Sequence, residues 1–264
     1  MNTSLIEFKN SKKDILRGIL LSAETDPKKY CAVMLGGFER AGTTEKKFKA
    51  LADKLAEKNI SSFRFDAADC GLSDGNFYQT TVESLAADLS AAIEFLRDRG
   101  GYEKFSLVGH SLTACVFSLL LEKISIEKIV LLAPALNQRD LFRYWFVQKK
   151  FPDKEITWDN YPDYFDEKLF DEDVKLDLIT KTHKLSREYR NKNKDIDYSG
   201  NYLKYAQEKI LYIHGMADDV VPPPSLKINF LNKIIIDKGG HDLERPGIIE
   251  QWLGKAADFL EIYY

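Results

Sequence analysis

Cysteine is scarce in this chain, with three residues in 264: Cys31, Cys70 and Cys115. None lies close enough in sequence to another to suggest a metal-ligand pair. Two sit in apolar runs, so all three are expected as reduced, mostly packed thiols of a cytoplasmic protein. An excess of charge is also missing. The chain has 38 basic and 41 acidic residues, a net charge of −3. That balance removes the electrostatic case for nucleic acid or a membrane surface as partner. No run approaches the roughly 18 apolar residues of a membrane span. The first eight residues, Met1–Phe8, lack the long apolar stretch of a secretion signal. There is no internal repeat and no low-complexity tract. Neither G-x-x-x-x-G-K-[ST] nor G-x-G-x-x-G occurs, so a phosphate cradle has little support. Histidine is limited to four residues, which makes the search for a catalytic base short.

A chain of this length forms one large α/β domain or two small ones, and its core needs no disulfide or metal. Short strands are expected at Leu5–Phe8 and Ile15–Leu21, with a hairpin turn at Lys12-Lys13-Asp14. Tyr30–Leu35 is a continuous apolar run, as in a strand buried on both faces. Phe48, Leu51, Ala52, Leu55 and Ala56 then recur at helical spacing. Ile60–Phe65 reads as the next strand, and Thr80-Thr81-Val82-Glu83 as a capping box opening a helix that stops at Gly100-Gly101. Further strands are expected at Lys104–Val108, Ile126–Leu132, Ile210–Ile213 and Lys233–Ile236. Helices are expected at Ala114–Leu121 and Ile248–Leu260. The alternation predicts an α/β fold, a mostly parallel sheet of about eight strands with helices on both faces. Loop chemistry would then gather at the carboxyl ends of the strands. Residues 137–205 break the rhythm. Fourteen of these 69 residues are aromatic, against 12% for the chain as a whole, which argues against disorder. The expected organisation is a core of residues 1–136 and 206–264 with a mainly helical inserted cap at 137–205.

Gly109-His110-Ser111-Leu112-Thr113 joins an apolar strand to an apolar helix, the setting of a nucleophile elbow. A serine hydroxyl needs a base within reach, and the base needs an orienting group. His110 adjoins Ser111 and is expected to point away from it. His183 lies in a charged stretch and reads as solvated. His214 ends a strand and reads as packed or locally hydrogen-bonded. His241, in Gly239-Gly240-His241-Asp242 directly after the last strand, is the expected base. The segment from His214 to Pro222 offers Asp218 and Asp219 as the acid. A developing oxyanion needs preorganised amides. These are expected from Leu112 and from Phe38, in the loop Gly36-Gly37-Phe38, where glycine permits close approach. The cap aromatics Tyr144, Trp145, Phe146 and Trp158 could line an acyl or aryl pocket or form the cap's own small core.

With those residues placed, the chain resembles the α/β-hydrolase superfamily over nearly its whole length apart from the insertion. Within it, the resemblance is to bacterial esterases that include cinnamoyl and feruloyl esterases, with monoacylglycerol lipases and serine aminopeptidase-like hydrolases nearby. It rests on Leu35-Gly36-Gly37-Phe38, Arg64-Phe65-Asp66, Gly71-Leu72-Ser73-Asp74-Gly75, Gly109-His110-Ser111, His214-Gly215-Met216-Ala217-Asp218 with Val221-Pro222, and Gly240-His241. The order Ser, Asp, His is the one this superfamily uses, and its H-G-x-x-D-x-x-V-P pattern selects Asp218 over Asp219. Three positions depart from the pattern: Gly36 for histidine, Asp69 for glycine and Thr113 for the elbow's second glycine. The resemblance implies a serine esterase that needs neither cofactor nor metal and acts on a small-molecule ester. A homodimer is compatible with it. It leaves an aminopeptidase, thioesterase or acyltransferase on the same scaffold as alternatives, together with a non-catalytic binding protein. For an aminopeptidase, Asp163, Asp166 and Glu167 are available to hold the substrate amine.

Overall fold

The structure is a computed structural model and describes residues 1–23, 29–180 and 182–262. Residues 24–28, 181 and 263–264, which fall within the expected core and cap spans, lie outside it. β1 (Asn2–Lys9) and β2 (Ile15–Ser22) form an antiparallel hairpin. The Lys13 amide closes its turn on the Asn10 carbonyl at 3.0 Å. There follow β3 (Tyr30–Leu35), α1 (Lys46–Glu57), β4 (Ser61–Phe65), α2 (Val82–Asp98), β5 (Lys104–His110), α3 (Thr113–Ser118) and β6 (Ile126–Leu132). The stretch from 137 to 205 holds α4 (Gln138–Lys150), α5 (Tyr161–Tyr164), α6 (Glu167–Asp173), β7 (Leu178–Ile179), β8 (Lys184–Leu185), α7 (Arg187–Asn193) and α8 (Ser199–Leu203). The chain ends with β9 (Ile210–Gly215), β10 (Asn232–Ile236) and α9 (Leu253–Leu260).

Eight strands form one sheet in the order β1-β2-β4-β3-β5-β6-β9-β10. From β4 to β10 all neighbours pair in parallel, and β2 runs antiparallel to β4. The direction of winding reverses at the centre. After β3 the chain moves to β4 on one side, and after β5 it moves to β6 on the other. In an open α/β sheet such a reversal opens a crevice at the carboxyl ends of the two strands. Here the crevice lies between the ends of β3 and β5, so the topology brings the Gly36-Gly37-Phe38 loop beside Ser111.

Helices cover both faces. Phe48, Leu51 and Leu55 of α1 share one apolar core with Trp252, Ala256 and Leu260 around α9. Val82, Leu89, Ile93 and Leu96 of α2 share the other with Cys115 and Phe117 of α3. Buried Phe146 and Phe170, from the 137–205 stretch, join this second cluster.

Several local expectations need adjustment. The box that opens α2 is Thr81 with Ser84, each side chain taking the other's amide, and not Thr80 with Glu83. The helix after Ser111 ends at Ser118, earlier than the apolar run does. The C-terminal helix is broken. A short 3₁₀ turn at Ile249–Gln251 precedes α9, and between them the fully buried Trp252 donates its indole N–H to the Leu243 carbonyl at 3.1 Å. The 137–205 stretch is mainly helical, yet β7 and β8 form a small antiparallel sheet of their own, which its aromatic and charged composition conceals.

Candidate active site

Ser111 stands between β5 and α3 at φ 57°, in the left-handed region that a residue with a side chain rarely adopts. Its amide donates to the Leu132 carbonyl at 2.8 Å, and its own carbonyl accepts from the Ala135 amide at 3.1 Å. Those bonds hold the turn against the end of β6. A Cβ on Gly109 would stand 2.6 Å from the Phe117 ring and 2.7 Å from Thr113 Cγ2, so glycine is what allows α3 to approach β5 this closely.

The β9 and β10 loops bring in the other groups. They are stitched together by Met216 N–H to Ile236 O and Ala217 N–H to Gly239 O, both 2.9 Å. His241 Nε2 lies 3.0 Å from Ser111 Oγ, and His241 Nδ1 lies 2.8 Å from Asp218 Oδ2. The Nδ1–H donates to the carboxylate, which leaves Nε2 as the acceptor of the serine proton. Asp218 Oδ1 accepts from the amides of Val220 at 3.0 Å and Val221 at 2.8 Å. Burial works to raise the Asp218 carboxyl. Hydrogen bonds from His214 and His241, the charge of His241 and the Val221 amide outweigh it and hold the carboxyl at about 2. Asp219 is exposed and offers the site only its backbone carbonyl, which accepts from the Tyr144 hydroxyl at 3.1 Å.

The other histidines are less remote than their sequence contexts suggest. His110 does not turn away from the site. Its ring lies 4.7 Å from that of His241, and its Nε2–H donates to the His241 carbonyl at 2.9 Å. Burial, and then the charges of Lys47 and His241, push its imidazole well below the usual range. His183 is partly buried rather than fully solvated. It sits 4.3 Å from the Phe77 ring, with Nδ1 3.5 Å from Glu39. His214 is packed, as expected, but against Asp218.

Phe38 and Leu112 both line the cleft above Ser111. Among the described residues neither amide has a hydrogen-bond acceptor. Two free N–H groups beside a serine–imidazole pair are what an oxyanion would require. A Cβ on Gly37 would stand 2.9 Å from His110 Nδ1 and 3.3 Å from Ser111 Cβ, so this loop touches the serine turn directly. Thr113, in place of the elbow's second glycine, donates its hydroxyl to the Gly36 carbonyl.

The cleft measures about 640 Å³ and is lined mainly by apolar and aromatic side chains: Phe38, Phe142, Trp145, Leu178, Leu185 and Tyr189. Of the four cap aromatics named from the sequence, Trp145 alone reaches it, with its indole N–H donated to the Val220 carbonyl at 2.7 Å. Tyr144 meets Trp158 and Tyr161 edge to face, these two rings tilt against each other, and Phe146 packs on Phe165 and Phe170. The wall is formed instead by Gln138, Phe142 and Trp145, at i, i+4 and i+7 on α4. That spacing is a face the sequence does display. Tyr189 carries no local signal, because it reaches the cleft from a separate helix, α7.

Asp163, Asp166 and Glu167 do not line the cleft. Asp166 caps α6 and Glu167 pairs with Arg143. The carboxylates that do line it, Glu39 and Asp242, are already engaged, Glu39 with the Thr180 hydroxyl and Asp242 with Arg40 at 3.1 Å. Among the described residues no three His, Cys, Asp or Glu side chains are grouped to hold a metal ion, and no helix is long and apolar enough to cross a membrane.

The sheet order and the serine placed at its switch point define an α/β-hydrolase. More narrowly, the chain belongs to the hydrolase family described as serine aminopeptidase, S33, whose sequence pattern matches residues 25–238. Solved structures with the same fold include Est1E from Butyrivibrio proteoclasticus with ferulic acid bound. It is 19% identical, with 97% of each chain covered and a TM-score of 0.72. The esterase Pf2001 from Pyrococcus furiosus is 17% identical, covering 98% of this chain and 90% of its own, with a TM-score of 0.68. The mouse alpha/beta hydrolase domain-containing protein 10 is 16% identical, covering 97% and 98%, with a TM-score of 0.62. No curated protein matches the chain.

Proposed function

We propose that this hydrolase cleaves carboxylic esters through an acyl-enzyme, with Ser111 as nucleophile, His241 as base and Asp218 as its orienting acid. The observation that carries the reading is the unbroken line Ser111 Oγ, His241, Asp218 at 3.0 and 2.8 Å, facing a cleft that also holds two unengaged amides. His241 takes the hydroxyl proton as Oγ bonds to the ester carbonyl carbon. The amides of Phe38 and Leu112 receive the oxyanion. Collapse breaks the bond to the alcohol oxygen, which leaves with the proton from His241. A water, deprotonated by His241, attacks the acyl carbon, and Ser111 regains its proton as the acid departs. No cofactor enters these steps.

The aromatic lining favours an aryl or short apolar acyl group. It supports an ester over an aminoacyl substrate, because the wall is mainly apolar and, of its two carboxylates, Asp242 is paired with Arg40 and Glu39 takes the Thr180 hydroxyl. Est1E binds ferulic acid on the same fold, which supports aryl esters as the first substrates to assay. The expected result is labelling of Ser111 by a fluorophosphonate, turnover of p-nitrophenyl and methyl cinnamate esters, and little turnover of aminoacyl amides. Both labelling and turnover should vanish in Ser111→Ala. A wild-type serine that resists the probe would instead favour a binding protein.

A further inference from the structure

The acid of the site has a second imidazole on it. Tyr212 and His214 stand two residues apart on β9 and therefore face the same side of the sheet. His214 is fully buried. Its Nε2 lies 3.0 Å from Asp218 Oδ2 and 2.8 Å from the Val221 carbonyl. Both are acceptors, so Nε2 carries the hydrogen. Its Nδ1 lies 2.7 Å from the Tyr212 hydroxyl, which donates to it. Asp218 Oδ2 thus receives N–H groups from His214 and His241, and Oδ1 receives the amides of Val220 and Val221. Four donors fill the roughly four lone-pair positions of an ionised carboxylate, which leaves it no freedom to turn and no vacancy for water.

We propose that Tyr212 and His214 are positioning residues that lock Asp218, and through it the tautomer and direction of His241. The inference rests on the triad reading given above. His214 and His241 compete for one oxygen. As long as His214 shares Oδ2, the charge that Asp218 presents to His241 is diluted, and the imidazolium is less strongly held. Removing the His214 donor concentrates that charge on His241 Nδ1–H. The imidazolium is then favoured, and a higher pH is needed to free the base. A packing role alone would lower activity without moving the acid limb.

The test compares His214→Phe, His214→Gln and Tyr212→Phe with wild type, each checked for native circular dichroism. For His214→Phe, kcat on a p-nitrophenyl ester should fall about 10- to 100-fold, a fraction of the full contribution of a general base. KM should stay within about twofold, as for an interaction made in the transition state. The acid limb of kcat/KM should move to higher pH. His214→Gln, which keeps an N–H donor, should recover part of kcat and most of the limb position. Tyr212→Phe should give a smaller loss in the same direction. A folded His214→Phe with unchanged kcat and acid limb would overturn the proposal, while wild-type turnover keeps the esterase reading intact. A readout free of turnover separates the two. The low-field Nδ1 proton of His241, followed by NMR in Ser111→Ala, should move further downfield in the His214→Phe double variant, because the undivided charge of Asp218 then falls on it. An unchanged position would refute the positioning role even if no ester is ever cleaved.

Discussion

The hydroxyl of Thr113 donates to the carbonyl of Gly36, tying the first turn of α3 to the loop after β3. A glycine at this elbow position would let the helix approach but would leave the loop free. Threonine closes the turn and supplies a clasp to the Phe38 amide's own loop. Thr113→Val keeps the branch and deletes the donor. It leaves a buried carbonyl unpaired, at a cost of about 1–3 kcal/mol. We expect kcat to fall about tenfold with KM little changed, because a misplaced oxyanion donor acts in the transition state. Thr113→Ser should stay near wild type. Thr113→Gly, despite restoring the family residue, should do no better than valine. Steady-state kinetics on one aryl ester compares all three.

Gly37→Ala places a methyl group against His110 Nδ1 and Ser111 Cβ, 2.9 and 3.3 Å away. Overpacking of this kind costs about 1–3 kcal/mol, and here the strain falls on Ser111. Fluorophosphonate labelling should slow at least about tenfold, while the melting temperature drops by only a few degrees. A labelling rate equal to wild type would mean that the loop yields without disturbing Ser111.

Neighbouring aromatics on α4 should behave oppositely. Trp145→Ala removes a wall of the cleft and the bond to Val220 O. KM for aryl esters should rise about tenfold, the order expected for losing substrate contacts in an apolar pocket. Phe146→Ala opens a hole against Phe165 and Phe170 instead. It should cost about 3–5 kcal/mol of stability and leave KM of the folded fraction unchanged. Thermal melts and KM measured side by side distinguish the two roles.

Acid should act on Asp218 in a definite window. Its folded-state carboxyl is held at about 2, below the ordinary value near 3.9. A depressed carboxyl contributes stability that is fully present above the unfolded value and is lost as pH falls towards the folded one. Wild type should therefore lose stability between about pH 4 and pH 2, and Asp218→Asn should lose less across that interval in a denaturant series. The same variant should retain roughly 10⁻⁴ of wild-type kcat at neutral pH, the loss expected when the base is held in the wrong tautomer.

Much of this arrangement is legible before any coordinates. β3 is apolar throughout because it is buried on both faces, and such runs mark the sheet directly. Ser111, Asp218 and His241 each follow a strand, so their convergence at one edge follows from topology once the strands are placed. Other features depend on contacts between segments far apart in sequence. His214 reads as an ordinary strand-end residue, since only the closure of the 215–221 loop turns Asp218 back onto it. Tyr189 reaches the cleft from α7, and no periodicity connects it to α4. Aromatic content alone does not separate Trp145, which faces the cleft, from Phe146, one residue on, which packs on Phe165 and Phe170.

The excursion at 137–205 leaves and re-enters the sheet at touching points. The Tyr198 amide bonds the Leu136 carbonyl, and the Arg139 amide bonds the Ile196 carbonyl, both at 2.9 Å. β6 and β9, on either side of it, are already neighbours in the sheet. The ends of the stretch are therefore stapled to each other, but its interior is tied to the site. Tyr202 donates its hydroxyl to the Ala114 carbonyl of α3 at 2.7 Å, and Tyr144 and Trp145 of α4 donate to the Asp219 and Val220 carbonyls beside Asp218. A change that rewrites the wall formed by Phe142, Trp145, Leu178 and Tyr189 is thus also felt by the loop that carries Asp218, so selectivity and chemistry in this scaffold are coupled through one helix.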